Sequence, residues 1–187
     1  MTKILGISGS LRSGSYNTAL LKAVVSLVDP DVKVEIASLH GIPLYDGDLE
    51  AAEGLPQAVR DLKARVMACD GLLLATPEYN NGIPGVFKNA IDWLSRPSSD
   101  IANVFGNRPV AVIGASPSGF GTLLAQNAWL PVLRMLGTRS WSGGRILVSR
   151  AHNVFNETGE MTDEAMRTQL RDFLRGFVQF IQSDAKI

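Results

Sequence analysis

The sequence predicts an α/β fold: a doubly wound, five-stranded parallel sheet in a single domain spanning residues 1–187. Three observations carry this. Short apolar runs alternate with longer amphipathic ones along the whole chain. The runs at 71–76 and 109–115 are apolar on both faces, as strands buried inside a parallel sheet must be. Each connection between successive strands is long enough for a right-handed crossover.

The elements follow in order. Residues 3–8 read as the first buried strand and 18–28 as an apolar-faced helix. Asp29-Pro30-Asp31 turns the chain into an alternating second strand at 33–38. Residues 40–54 form a long connection rich in Gly, Pro and Asp, read as irregular and as functional or packed on a partner. A helix at 55–68 tolerates Pro56 in its first turn and lines Val59, Leu62 and Val66 along one face. The third strand, 71–76, ends in a polar turn, and a helix with Phe87, Ala90, Ile91 and Leu94 on one face follows, stopped by Arg96-Pro97. The fourth strand, 109–115, leads through a Gly- and Ser-rich turn into a helix reaching Leu136, where Pro131 is expected to make a kink. Residues 145–148 are the fifth strand. The last helix, 163–182, carries Met166, Leu170, Phe173, Leu174, Phe177 and Ile181 as one stripe.

Composition narrows the function. Lys+Arg and Asp+Glu each total 18, so zero formal charge offers no electrostatic pull toward nucleic acid or a membrane surface. A single cysteine excludes an internal disulfide and fits a reducing compartment. No signal-peptide pattern opens the chain, and no apolar run reaches the ~18 residues of a membrane span. A cytoplasmic protein is expected.

In such sheets ligands bind beyond the carboxyl ends of the strands. Three of those ends carry polar, glycine-rich loops that should converge on one ligand. The first is Gly9-Ser10-Leu11-Arg12-Ser13-Gly14-Ser15-Tyr16-Asn17, at a helix N-terminus, where backbone N–H groups and the helix dipole favour an anion. Arg12 adds a planar fork suited to phosphate, and Ser10, Ser15 and Asn17 add neutral donors, although Ser15 or Asn17 could also cap the helix. The spacing is neither a dinucleotide fingerprint nor a Walker loop, so a terminal phosphate without magnesium fits best. The second loop, Pro77-Glu78-Tyr79-Asn80-Asn81-Gly82, suits a flat heteroaromatic ring, or is simply a turn. The third, Ser116 to Gly121, lets backbone approach a ligand closely. Phosphate at one end and a flat ring at the other describe a mononucleotide.

These loops, with Pro84-Gly85-Val86-Phe87-Lys88-Asn89-Ala90-Ile91-Asp92-Trp93-Leu94-Ser95, resemble the NADPH-dependent FMN reductase family, flavodoxin-like quinone, azo-dye and chromate reductases. The resemblance runs from Lys3 to about Gly121. It implies that Ser10, Arg12, Ser15, Tyr16 and Asn17 hold the FMN phosphate, that Pro77, Glu78, Tyr79 and Asn80 hold the isoalloxazine, and that Ser116 and Gly119 close its other edge. It implies NADPH or NADH as hydride donor, a small acceptor (quinone, azo compound, chromate or free flavin), and a ping-pong order without a catalytic side chain. Homodimers, doubled to tetramers in some members, are implied as well. Many relatives carry Gly-Gly-x-Arg after the fourth strand where this chain has Gly121-Thr122-Leu123-Leu124, which touches the substrate pocket and any tetramer contact. The competing reading is a flavodoxin-type electron carrier without NAD(P)H activity, against which the balanced charge weighs.

Other chemical side chains read as structural. Cys69 is a small buried hydrophobe. His40 and His152 lack ligand spacing, so no metal is expected. No Gly-x-Ser-x-Gly elbow is completed. Trp93, Trp129 and Trp141 belong to the core or to a subunit interface rather than to a nucleic-acid platform.

Overall fold

The computed structural model describes residues 1–183. The elements are β1 (Thr2–Ser8), α1 (Tyr16–Leu27), β2 (Val32–Ala37), α2 (Gly47–Glu53), α3 (Gln57–Met67), β3 (Gly71–Ala75), α4 (Gly85–Leu94), α5 (Ile101–Val104), β4 (Pro109–Ala115), α6 (Leu123–Met135), β5 (Arg139–Ser140), β6 (Ile146–Val148) and α7 (Glu164–Ser183). The strands pair in parallel in the order β2-β1-β3-β4-β5, with β6 also on β4. That order is the flavodoxin-like one, and its switch point falls between β1 and β3.

All five residues of β3 are buried, whereas β2 alternates as an edge strand should. One core layer joins α1 and α7 to one face of the sheet through Leu20, Leu21, Val24, Leu170, Phe173 and Phe177. Burying each such side chain contributes roughly 1.5–3 kcal/mol. The other layer sets Leu62 of α3, Phe87 and Ile91 of α4 and Trp129 of α6 on the opposite face. Trp93 and Trp129 are fully buried, and Trp141 packs edge-on to Phe173 with centroids 4.6 Å apart.

The expected elements are present, with corrections at the margins. The fifth lane is interrupted: β5 pairs Pro109 and Val110, and β6 pairs Ile113 to Ala115 of the same neighbour, β4. The 40–54 connection is not irregular throughout, because Asp46 caps α2 by accepting from the Asp48 N–H at 2.9 Å. The segment is bolted to α4. Pro43 O accepts from Asn89 Nδ2 at 2.8 Å and Trp93 Nε1 at 2.9 Å, and Arg96 Nε meets Glu50 at 2.8 Å. α6 continues through Pro131 to Met135.

Candidate functional site

Three loops leave the same edge of the sheet, and backbone bonds splice each to its neighbour. Gly9 N–H donates to Ala75 O at 2.9 Å, Thr76 N–H to Ile113 O at 2.9 Å and Ser116 N–H to Val148 O at 2.9 Å. They enclose a hollow of about 70 Å³. Ser10, Arg12, Ser15, Tyr16 and Asn17 line it from the first loop, Pro77, Glu78 and Tyr79 from the second, and Ser116 from the third. Ala115 and Pro117 also line it. Neither was expected, although Ala115 ends the fourth strand and Pro117 follows Ser116. Two expected residues do not line it. Asn80 lies in the turn beyond Tyr79, and Gly119 is at the exposed tip of the third loop.

The first loop divides its polar groups between structure and ligand. Ser15 is the N-cap of α1, its Oγ accepting from Asn17 N–H at 3.2 Å and Thr18 N–H at 3.3 Å. Ser10 Oγ accepts from Arg12 N–H at 3.3 Å. The Asn17 amide is spent on backbone: Nδ2 donates to Ala115 O at 2.9 Å and Oδ1 accepts from Ala115 N–H at 3.0 Å. The groups left without partners among the described residues include the Arg12 guanidinium and the N–H groups of Gly14 and Tyr16. A planar cation beside free N–H groups at a helix start is the donor set that a phosphate ester requires, so the residues present fit a phosphorylated cofactor.

The second loop is a two-residue hairpin. Tyr79 and Gly82 exchange N–H···O bonds at 3.2 and 3.0 Å, while Asn80 and Asn81 adopt φ of 50° and 61°. Two consecutive positive-φ residues make a type I′ turn, which explains the asparagines by backbone geometry alone. The Glu78 carboxylate reaches the next helix, accepting from Leu124 N–H at 2.8 Å and Ala125 N–H at 3.0 Å. Thr122, the N-cap of α6, makes no such bond, so Glu78 supplies the missing cap from the second loop. The Tyr79 ring stands half exposed beside the hollow.

Elsewhere, burial pushes the Cys69 thiol above its ordinary pKa, with Arg108 opposing, which suits an inert core cysteine. No group of three metal-ligating side chains occurs among the described residues, and none of their helices is long and apolar enough to cross a membrane.

The 2-1-3-4-5 sheet with a phosphate-ready loop at its switch point defines a flavodoxin-like mononucleotide-binding protein. Residues 2–153 match the NADPH-dependent FMN reductase family, and the chain belongs to it. It is 41% identical over 180 residues to an NAD(P)H-dependent FMN reductase of Pseudomonas aeruginosa, covering 96% of this chain and 95% of that one. It is 33% identical to a 2-hydroxy-1,4-benzoquinone reductase of a Burkholderia species, covering 96% of both. Among solved structures it is similar to a flavoenzyme NAD(P)H:(acceptor) oxidoreductase of Paracoccus denitrificans, with a TM-score of 0.87, 34% identity and coverage of 97% and 98%.

Proposed function

We propose that this chain binds FMN in the three-loop hollow and uses NAD(P)H to reduce a quinone or similar small acceptor by two electrons. The observation that carries it is the pair of partner-free donors, the Arg12 guanidinium and the Tyr16 N–H, in the one hollow where all three loops meet. Arg12, Ser10, Ser15 and Tyr16 hold the phosphate, and Asn17 acts by fixing the start of α1. Pro77, Glu78, Tyr79 and Ser116 flank the ring, and Asn80 and Gly119 shape the loops that carry it. When bound, the flavin supplies hydride acceptance and two-electron delivery. The protein positions it and leaves one face open, which donor and acceptor occupy in turn.

A second copy of the chain covers the groove between α4 and α6. That groove, of about 410 Å³, is lined by Ile91, Ile101, Pro131, Val132 and Met135, with the Lys88–Asp92 ion pair at its edge. Leu124, Leu130 and Met135 are exposed along the same helix, an apolar surface that a homodimer would bury. The place of work is the cytoplasm, in keeping with the lone reduced thiol of Cys69.

The test is the absorption spectrum of the purified protein, followed by NADPH under nitrogen. Flavin bands that bleach, and recover when a quinone is added, support the reductase. Bands that bleach only with dithionite indicate an electron carrier, and a colourless protein that refuses FMN overturns both.

A further inference from the structure

A second and larger hollow, of about 320 Å³, adjoins the phosphate loop and shares Arg12, Ser15 and Tyr16 with the first. It runs along α1 to Lys22 and is bounded by the turn at 156–159, where an added Gly159 Cβ would lie 3.6 Å from the Ala19 methyl. Its volume falls at the lower end of the roughly 300–1,000 Å³ typical of small-ligand sites.

Its chemistry is specific. Arg12 and Lys22 both line it, and neither has an ion pair or side-chain hydrogen bond among the described residues. With the flavin phosphate on one side of its five-donor fork, Arg12 can bridge to a second phosphate that Lys22 meets from the far side of the hollow. Glu157, also unpaired, contributes a carboxylate to the same wall, suited to accept from ribose hydroxyls. The Thr158 hydroxyl donates to Asn156 Oδ1 at 2.7 Å and keeps its lone pairs for a ligand donor. Cations for phosphate and a carboxylate for a sugar together describe a phosphorylated nucleoside.

We propose that this hollow is an adenosine-phosphate subsite next to the flavin phosphate; the assignment rests on the flavin reading of the adjoining hollow. Two ligands bring that group. In FAD, the adenylate half continues directly from the flavin phosphate past Arg12. In NADPH, the adenosine end would lie alongside.

The experiment compares the FMN-loaded protein with its Lys22→Gln variant, since Lys22 is exposed on α1 and lies outside the flavin hollow. Calorimetric titration with 2′,5′-ADP probes the NADPH arm. Displacement of FMN by FAD, read by flavin fluorescence, probes the other. The expected result is a loss of about tenfold in affinity for one probe in the variant, as for a charged hydrogen bond, with FMN affinity unchanged. Loss for FAD alone assigns the adenylate half of FAD, and loss for 2′,5′-ADP alone assigns the nucleotide donor. Loss for both shows that the subsite serves either ligand. No binding of either probe, or equal affinities in both proteins while FMN binds normally, overturns the subsite alone. Wild-type protein that refuses FMN overturns the flavin reading and the subsite with it.

Discussion

The side chain of Asn17 and the backbone of Ala115, 98 positions apart, exchange two buried hydrogen bonds at 2.9 and 3.0 Å. The pair pins the first turn of α1 to the last residue of β4, so the phosphate loop and the third loop hold a fixed relation. Replacing Asn17 by Ala leaves the Ala115 N–H and C=O unsatisfied in a buried setting. The expected cost is roughly 2–4 kcal/mol of folding stability. Denaturant unfolding of the Asn17→Ala protein measures it, and an unchanged midpoint would show that the two bonds hold nothing in place.

Arg12 offers the opposite case. Its guanidinium has no protein partner among the described residues, so Arg12→Ala should leave stability unchanged. FMN affinity should fall by about 1.5–3 kcal/mol, the range for a hydrogen bond to a charged group. Fluorescence titration of FMN separates the two effects. Lost stability with intact affinity would place the phosphate elsewhere.

These two residues also show where the sequence is legible. Both stand in one polar loop, and nothing local tells a donor kept for a ligand from a donor spent on a distant strand. Asn17 reads as a phosphate donor or a helix cap until Ala115 is beside it. The buried strands declare themselves because they are apolar on both faces, and α7 because its stripe repeats at helical spacing. α2 does not, because Gly47–Glu53 buries no residue and so shows no apolar periodicity. β5 is equally silent, since Arg139 and Ser140 form a polar pair on a sheet edge. Asn80-Asn81 reads equally as ligand chemistry or as a turn, and two successive positive φ values show the turn.

Two glycines of the phosphate loop should respond differently to alanine. A Cβ at Gly9 would fall 2.2 Å from Phe87 Cδ1 and 2.9 Å from Pro77 Cδ, forcing the first loop away from the second. A Cβ at Gly14 meets nothing within 4 Å. Gly9→Ala is therefore expected to cost about 1–3 kcal/mol, the usual penalty of overpacking, and to weaken FMN binding, while Gly14→Ala should fold normally. Thermal unfolding of the two variants side by side decides this. Equal melting temperatures would contradict the close approach.

Met135 is 83% exposed on α6, at the border of the α4–α6 groove. A charge there costs the isolated subunit little but would be buried if a second copy covers the groove. Met135→Glu should leave circular dichroism unchanged and shift the light-scattering mass from dimer to monomer. A variant that stays dimeric would move the interface to another face.

Glu78 joins two parts of the site that the chain order keeps apart. Its carboxylate sits on the free N–H groups of Leu124 and Ala125, where the dipole of α6 favours negative charge. Glu78→Gln keeps an oxygen acceptor and loses only the charge, so about 0.3–1 kcal/mol of stability should go. Glu78→Ala removes the acceptor altogether, and Thr122 does not replace it, so the first turn of α6 loses its cap and the second loop its tether. The expected loss is then about 1–2 kcal/mol, in the range of a deleted N-cap. The ring-binding loop loosens at the same time, so FMN should dissociate faster from Glu78→Ala than from Glu78→Gln. Stopped-flow release of FMN together with denaturant unfolding tests both halves. If the two variants release FMN at the same rate, the Glu78 cap stabilises α6 without ordering the flavin loop.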